Sequence, residues 1–377
     1  MHIDQLLTPA LLVDLEVLER NLSFMQRRAE KLDVKLRPHI KTHKCIEIAR
    51  RQADAGARGI TVSTFYEAEQ FALAGFTDIL WAFPLPLVYT GRVLDMREDV
   101  TLRVVVDSDE AVRYLENAAR MRGRKQHVWL KIDCGYHRAG VDPSKPLAES
   151  LISHLNRSDV LIFDGILSHS GYAYAARSRE EIISYAHQER EVMTTFAHQM
   201  RRCGYEIPTV SIGSTPAMSV VEDLSGVDEI RPGNYIFYDL TQVMIGSCTL
   251  RDCALTVLAS VISHQPGASH VIIDAGALAL SKDPGATHLA GRPTMGSIFE
   301  DYERRRLFPD ISLGPLSQEH GKVEARDPSA LEGKFEVGDH LRILEHHSCL
   351  TAANFDRYWV VKNEQIVDEW PLLRGRS

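Results

Sequence analysis

Eight short β-rich runs, separated by helical stretches, constrain the fold of this chain more than any other feature of its sequence. Several of them are rich in apolar residues, as expected of strands that are buried on both faces. Eight strand–helix units within roughly 200 residues are what an eight-stranded α/β barrel requires. The runs occupy residues 34–37, 59–63, 79–83, 102–106, 128–132, 163–168, 209–213 and 228–231.

The competing fold for such a pattern is a doubly wound open sheet. A glycine-rich fingerprint after the first strand would favour that fold, and the sequence has none there. Residues 8–240 are therefore predicted to form an α/β barrel of the (β/α)8 type. A further strand at 8–13 precedes its first helix, for which Asp14 is a good cap. Thr64 and Glu67 have the spacing of a capping box at a later helix.

The pattern changes after about residue 239, where strands follow one another without long helices between them. Residues 362–364 have the character of a hairpin turn between two of these strands. A second, mostly β domain is predicted over 241–377 with 1–7, and the strand near Leu11 is a candidate to join it. A stretch rich in Gly, Pro and charge, 283–310, is predicted to be a long loop or flap. The predicted strands are 254–263, 270–274, 341–344, 358–361 and 365–368.

Charge and composition exclude several classes of protein. The formal net charge of the 377-residue chain is −8, so there is no global basic field for nucleic acid. No apolar run has the length of a membrane span, and the N-terminus does not resemble a secretory signal. Six cysteines are scattered without paired spacing, which is more typical of reduced thiols than of a disulfide framework. We expect a cytoplasmic protein without a nucleic-acid or membrane partner.

In a barrel of this kind the loops at the carboxyl ends of the strands carry function. Lys41 follows the first predicted strand, where such enzymes place a reactive amine, although a lone lysine in a basic loop is more often solvated. The later loops contain 133–138, His169 with Tyr172, 213–216 and 231–235. These segments hold most of the candidate site residues.

Gly213, Ser214, Thr215 and Pro216 form a turn into a helix that would present N–H groups and two hydroxyls. Such a turn is a natural phosphate cradle, and Gly233-Asn234 would complete it. A helix cap without a ligand is the alternative. A lysine and a phosphate cradle at one barrel mouth match the needs of pyridoxal phosphate (PLP). Arg138 and Arg231 are candidates to tune its ring.

A third group lies near the C-terminus, where His347 and Cys349 alternate. On an extended stretch their side chains would share one face and could bind one ion. Imidazole with thiolate suits zinc. The alternative is a strand-end histidine beside a buried thiol.

Taken in order, these segments resemble one family. They are Arg37-Pro38-His39-x-Lys41-Thr42, Gly135-x-x-Arg138-x-Gly140, Gly213-Ser214-Thr215-Pro216, Arg231-x-Gly233-x-Tyr235 and His347-x-Cys349. The family is that of the metal-dependent PLP enzymes acting on D-3-hydroxy amino acids, which includes D-serine dehydratase, D-threo-3-hydroxyaspartate dehydratase and D-threonine aldolase. The resemblance covers nearly the whole chain and implies an alanine racemase-like fold.

The resemblance also implies roles for the residues. Lys41 is similar to the Schiff-base lysine, and Arg138 to the arginine that contacts the phenolic oxygen. Arg231 occupies the place of the arginine that faces the pyridine nitrogen in alanine racemase. The remaining implied contacts are the phosphate cup Gly213, Ser214, Thr215, Gly233 and Asn234, the neighbouring Tyr172, and the metal ligands His347 and Cys349.

The implied activity is a lyase that converts a D-3-hydroxy amino acid, D-serine or D-threo-3-hydroxyaspartate, to a 2-oxo acid and ammonia. Cys349 and Tyr172 favour this outcome, because the related aldolases tend to have His-x-Asp and a second histidine. Retro-aldol cleavage to glycine and an aldehyde is the alternative, with His169 as its base. The metal is expected to be zinc, with manganese or magnesium as alternatives, and the protein a homodimer.

Two other classes of protein share the barrel. A PLP-carrying homeostasis protein would lack the C-terminal β domain. A non-catalytic barrel that binds phosphorylated ligands would need neither Lys41 nor the pair His347 and Cys349.

Overall fold

The computed structural model describes residues 1–289 and 293–375. The chain divides into two compact units. The β unit is Met1–Ser23 with Asn234–Arg374, and the barrel unit is Phe24–Gly233 with Gly375. This division differs from the predicted boundaries at 8 and 240, chiefly because the strand at Ala10–Asp14 pairs with strands of the β unit.

Strands and helices are numbered here in chain order. The strands are β1 Ala10–Asp14, β2 Lys35–Leu36, β3 Ile60–Val62, β4 Asp78–Pro84, β5 Thr101–Val106, β6 Gln126–Lys131, β7 Leu161–Leu167, β8 Val210–Ile212, β9 Glu229–Ile230, β10 Leu255–Ser263, β11 His270–Ile273, β12 Gly296–Asp301, β13 Arg306–Leu316, β14 Gly321–Ala325, β15 His340–Leu344, β16 Arg357–Lys362 and β17 Gln365–Pro371. The helices are α1 Leu15–Lys31, α2 Ile46–Asp54, α3 Phe65–Leu73, α4 Thr90–Leu94, α5 Asp109–Arg122, α6 Pro146–Arg157, α7 Arg179–Arg202, α8 Thr215–Val220, α9 Leu240–Met244, α10 Ala277–Leu280 and α11 Ser348–Ala352.

The barrel unit is an eight-stranded parallel sheet in the order β2-β9-β8-β7-β6-β5-β4-β3. The sheet closes just after β2, where His39 forms a parallel bridge with Thr61. The Thr61 N–H donates to the carbonyl of Pro38 at 2.9 Å across this closure. All eight predicted strands are present, which confirms the (β/α)8 fold.

Two helix starts follow their predicted caps. A carboxylate oxygen of Asp14 accepts from the Val17 N–H at 3.1 Å at the start of α1. At the start of α3, Thr64 Oγ1 accepts from the Glu67 N–H at 3.1 Å, and Glu67 accepts in return from the Thr64 N–H at 3.4 Å. These caps satisfy donors that have no partner within the helix.

An ionic cluster occupies the barrel interior near the amino ends of the strands. Arg37 donates from Nε to Glu229 at 2.7 Å and from both terminal nitrogens to Asp78, at 2.6 and 3.1 Å. Arg103 joins Asp78 to Asp164 in the same cluster. Arg37 is buried, so its charge is stable there only because two carboxylates surround it.

The β unit is built on a nine-stranded sheet in the order β11-β14-β13-β12-β15-β10-β1-β16-β17. An additional pairing of β10 with β11 joins the first six strands into a closed ring. Every pairing is antiparallel except that of β1 with β16. The sheet is therefore an antiparallel barrel-like structure, in agreement with the predicted β domain.

Two local predictions for the β unit have different outcomes. The turn between β16 and β17 is a two-residue hairpin in which Asn363 and Glu364 both have positive φ, at 48° and 59°. Such a primed turn matches the twist of the flanking strands. The predicted long loop at 283–310 is wrong over its second half, because β12 and the start of β13 pair there as antiparallel strands. Residues 290–292 of that stretch lie outside the described residues.

Among the described residues, no helix combines the length and the apolar character that crossing a membrane requires. None of the six cysteines, all within the described ranges, forms a disulfide.

A glycine inside β7 gives a test of the barrel packing. Gly165 has a φ of 144°, and a Cβ atom there would overlap the backbone carbonyl of Thr209 in the loop before β8. We expect Gly165→Ala to lower the free energy of unfolding by about 4 kcal/mol or more, because backbone rather than a flexible side chain must move. Thermal or urea unfolding measures this loss.

Gly75→Ala is the matched control. Gly75 also has a positive φ, 97°, but a Cβ atom there would have open space among the described residues. Its cost should be limited to backbone strain of about 1–2 kcal/mol. Equal losses for the two variants would contradict the proposed clash.

Candidate functional site

Lys41 lies on a single 3-10 turn, Ile40–Thr42, immediately after the closure of the barrel. The His39 N–H donates to the carbonyl of Pro232 at 3.0 Å, which holds the chain on the side of β9. The lysine side chain is exposed, whereas Ile40 and Thr42 on either side of it are buried. The turn therefore presents one amine from an otherwise fixed segment.

Two half-buried histidines, His39 and His169, lie close to this amine. Burial holds the pKa of His39 well below its usual value, and the charges of Lys41 and Arg231 act in the same direction. Burial also holds the pKa of His169 well below its usual value, and four positive charges add to the effect: Lys41, Arg138, Lys131 and Arg231. Both rings are therefore neutral imidazoles near neutral pH. The barrel unit thus brings Lys41, His169, Arg138 and Arg231 together.

Arg231 is buried at the end of β9 and is held by two neighbouring strands. One terminal nitrogen donates to Ser211 Oγ and the other to the carbonyl of Ser168. Burial lowers its pKa, while the charges of Glu229 and Glu189 oppose that effect. Each terminal nitrogen thus already donates within the protein, and a contact of Arg231 with a pyridine nitrogen stays a prediction.

The loop after β6 holds Arg138 and contacts Tyr172. The guanidinium of Arg138 lies 5.3 Å from the ring centre of Tyr136, within cation–π range. Tyr172 donates its hydroxyl to the carbonyl of Gly135 and stacks on Tyr185 with ring centres 5.7 Å apart. Since the Tyr172 hydroxyl is used in this way, a cofactor contact from Tyr172 would come from its ring.

The predicted phosphate cup is assembled from the turns after β8 and β9. Thr215 Oγ1 accepts from the Gly233 N–H at 3.2 Å and so joins the two turns. Gly233 has no room for a side chain, because a Cβ atom would lie 2.6 Å from the carbonyl oxygen of His39. Ser214 Oγ is buried and has no hydrogen-bond partner among the described residues. A buried hydroxyl in that state calls for a polar ligand, and a phosphate oxygen fits it.

Asn234, predicted as part of the cup, falls in the β unit and contacts the other candidate site. Its amide nitrogen donates to Asp239 and to Ser348 Oγ, both at 2.8 Å, and lies 3.8 Å from Cys349 Sγ. Its Oδ1 is buried without a partner among the described residues. The side chain of Asn234 is thus committed to the segment that carries Cys349. A phosphate contact from Asn234 would come from its backbone.

His347 and Cys349 do not lie on an extended stretch as predicted, because α11 begins between them. His347 is the extended N-cap residue and Cys349 lies in the first turn of α11. Asp239 accepts from the Ser348 N–H at 3.2 Å at this helix start. The two side chains still meet: burial works against a charge on His347, but Asp283 and Cys349 raise its pKa to about 11.

Asp283, which the sequence did not single out, is the closest partner of His347. Its Oδ2 lies 2.7 Å from His347 Nδ1, which leaves Nε2 as the ring nitrogen to bind a metal. Within residues 1–289 and 293–375, no three His, Cys, Asp or Glu side chains form a metal-binding group. An imidazole and a thiolate alone fit an open catalytic ion, completed by water or substrate, better than a closed structural one.

Lys131 is a second residue that the sequence did not single out. It ends β6 and is buried, and burial together with Arg231 and Arg138 lowers its pKa to about 8. The sequence could have pointed to Lys131 only through its position at the carboxyl end of a predicted barrel strand, where functional residues lie. Asp283 had no such signal, because it lies in the stretch that was predicted to be a loop.

Comparison with known proteins places this geometry in a family. The alanine racemase N-terminal domain profile matches residues 13–241, and a serine dehydratase domain profile matches residues 254–361. The chain is 36% identical over 372 residues to D-threo-3-hydroxyaspartate dehydratase of Delftia sp. (strain HT23), covering 98% of this chain and 97% of that protein. The chain belongs to the alanine racemase-like family that carries these two domains and includes this dehydratase.

Further relatives agree with this membership. D-serine dehydratase of Dictyostelium discoideum is 37% identical over 390 residues, covering 98% of this chain and 97% of that protein. A variant of D-threo-3-hydroxyaspartate dehydratase, solved in a metal-free form, superposes with a TM-score of 0.94 at 36% identity over 100% of both chains. D-threonine aldolase from Filomicrobium marinum superposes with a TM-score of 0.85 at 29% identity, over 98% of this chain and 96% of that one. The predicted fold and the predicted kind of enzyme, a PLP-dependent lyase, are confirmed.

The contact between Asp283 and His347 predicts an effect on metal affinity. Asp283→Asn keeps the size of the side chain but removes the carboxylate that orients Nδ1. We expect metal to bind about 10- to 100-fold more weakly, as is typical when such an orienting partner is lost. Competition with a chromophoric chelator measures the affinity without any assay of activity.

Asp310→Asn is the control, because Asp310 is an exposed carboxylate of the same unit, 3.8 Å from Arg326. It should leave the metal affinity unchanged. Unchanged affinity in Asp283→Asn as well would show that Asp283 does not orient the ligand.

Proposed function

We propose that this protein is a PLP- and metal-dependent dehydratase of a small D-3-hydroxy amino acid, which it converts to a 2-oxo acid and ammonia. The observation that carries the proposal is the group around Lys41. The barrel unit contains the exposed Lys41 amine, two neutral imidazoles and the buried Ser214 hydroxyl, which has no hydrogen-bond partner in the described part of the chain. The relatives with 36–37% identity are dehydratases, which supports this outcome over aldol cleavage.

The residues of the barrel unit fit PLP. Lys41 would hold it covalently, and Gly213, Ser214, Thr215 and Gly233 would hold its phosphate. Arg138 and Arg231 supply positive charge beside the ring, and Tyr172 an aromatic face. When bound, PLP acts as an electron sink that acidifies the α-carbon of an amino acid.

Lys41 is also the proposed base. Its Nζ atom accepts the α-proton, because an amine that leaves its covalent bond with the cofactor stays beside the reacting carbon. Burial holds the pKa of His169 well below its usual value, which makes its imidazole a weak base, so we assign it an orienting hydrogen bond rather than a proton transfer in the dehydration.

The proposed metal ligands are His347 and Cys349, with Asp283 holding the histidine ring. A metal ion bound there supplies a Lewis acid for the departing hydroxyl of the substrate. We propose zinc, since imidazole and thiolate favour it over manganese or magnesium, which prefer oxygen ligands. The Delftia relative, one of whose variants is described as metal-free, supports a metal in the family.

D-Serine and D-threo-3-hydroxyaspartate are the proposed substrates, after the names of the two dehydratase relatives. A homodimer in the cytoplasm stays a prediction from the family resemblance and from the scattered cysteines.

The first test concerns the covalent bond of Lys41. Lys41→Ala should remove the visible absorbance of protein-bound PLP and lower the dehydration rate by about 10³-fold or more, because both the anchor and the base are lost. Lys35→Ala is the control, since Lys35 is an exposed lysine six residues earlier on β2. A visible band that survives in Lys41→Ala would exclude Lys41 as the anchor.

The second test concerns the reaction and the metal. The protein loaded with PLP and zinc should release 2-oxo acid and ammonia from D-serine or D-threo-3-hydroxyaspartate. Removal of metal with a chelator, or His347→Ala, should lower the rate by at least about 10²-fold while PLP stays bound, because hydroxide leaves poorly without a Lewis acid. The exposed thiol variant Cys203→Ser should behave as the unaltered protein.

Formation of glycine and an aldehyde instead would favour the aldolase alternative. The 29%-identical D-threonine aldolase makes this the relevant comparison. Full activity in a metal-free preparation would contradict the proposed role of His347 and Cys349.

A further inference from the structure

A buried glutamate of α7 holds two of the barrel loops with a single oxygen atom. Glu189 Oε1 accepts from Ser168 Oγ at 2.7 Å and from the Ser170 N–H at 3.0 Å. These two residues flank His169 in the loop after β7. The same oxygen accepts from the Gly213 N–H at 3.5 Å, at the start of the turn after β8.

The second oxygen of this carboxylate, Oε2, does not take part in these contacts. Glu189 is 1% exposed, and its Oε2 has no hydrogen-bond partner within the described part of the chain. A buried carboxylate with one unsatisfied oxygen is a costly way to attach a helix to a barrel. Such a group is more readily explained by a functional constraint than by stability.

The charge of Glu189 also acts on Arg231. Burial raises the pKa of Glu189, whereas Ser168 and the positive charge of Arg231 act against that rise. Ser168 connects the two groups directly, because its carbonyl accepts from Arg231 and its hydroxyl donates to Glu189. Glu189, Ser168 and Arg231 therefore form one hydrogen-bonded chain behind the proposed cofactor pocket.

We propose that Glu189 is a positioning residue that sets the His169 loop and the Gly213–Ser214 turn relative to each other for cofactor binding. This inference rests on the proposed function, since it assumes that PLP occupies the pocket. The backbone at Gly213 leads into the Ser214 hydroxyl, and the backbone at 168–170 carries His169. A shift of either loop would misplace a group that holds the phosphate or contacts the ring.

The test measures PLP affinity without substrate, by titrating the apoprotein with PLP and following the visible absorbance. Glu189→Leu removes all three acceptor contacts, and we expect the dissociation constant to rise on the order of 10- to 100-fold, since small misplacements have effects of this size. Glu189→Gln keeps a carbonyl oxygen at the position of Oε1, so it should stay within about threefold of the unaltered protein. This rescue is not expected of a residue that acts by charge alone.

Glu116→Leu is the matched control. Glu116 lies on α5, is 8% exposed, and accepts from Ser158 Oγ at 2.6 Å and from His154 at 3.0 Å. Its loss should lower the thermal stability of the protein and leave the PLP dissociation constant unchanged. If Glu189→Leu does not fold, Ser168→Ala replaces it, and this variant should weaken PLP binding in the same direction by a smaller factor.

The outcomes separate the two proposals. If the unaltered protein binds no PLP, the proposed function fails. The unaltered protein and Glu189→Leu are compared at a temperature at which the variant is folded. If both bind PLP equally well there, only the positioning role of Glu189 is wrong. Weakened binding in both Glu189→Leu and Glu189→Gln would assign the effect to the charge and overturn the hydrogen-bonding role.

Discussion

The position of Lys41 depends on a buried ionic contact four residues earlier in the chain. Arg37 reaches Glu229 on β9 and Asp78 on β4, and so links the strands on either side of the barrel closure. Burial opposes the guanidinium charge, but the two carboxylates raise the pKa of Arg37 above its usual value. Because a buried charge without partners is strongly destabilising, this contact holds the chain direction just before Pro38 and His39. The 3-10 turn that carries Lys41 follows directly.

Charge also organises the opposite end of the barrel. Burial holds the pKa of His169 well below its usual value, and the positive charges of Lys41, Arg138, Lys131 and Arg231 act in the same direction. Positive groups that lie close together repel one another, which is unfavourable unless carboxylates or an anion offset their charge. An anionic ligand would relieve that repulsion, and a phosphate-bearing cofactor is such a ligand. The carboxylates of Glu229 and Glu189 partly compensate the charge of Arg231.

In the β unit, carboxylates likewise hold His347 and the start of α11 in place. Asp283 holds one ring nitrogen of His347, and Asp239 gathers Asn234 and Ser348 at the start of α11. Asp283 contacts His347 itself, and Asp239 accepts from Ser348, which lies between His347 and Cys349 in the chain. The proposed ligand pair is thereby held by neighbouring residues outside the pair, which is how ligand geometry is usually maintained in metal sites.

The sequence by itself determined those features that depend on neighbours in the chain. Short β-rich runs identified all eight barrel strands, Thr64 and Glu67 identified a helix start, and residues 362–364 identified a hairpin turn. Lys41 and the glycines of the predicted phosphate cup were proposed in the same way, because their spacing from the strand ends is local. Only the tertiary structure decided that β1 joins the second sheet, that β12 and β13 replace a predicted loop, and that α11 separates His347 from Cys349. It alone also decided the partners Asp283 and Glu189, since a hydrogen bond between groups that lie 21 or 64 residues apart in the chain leaves no periodicity or spacing in the sequence.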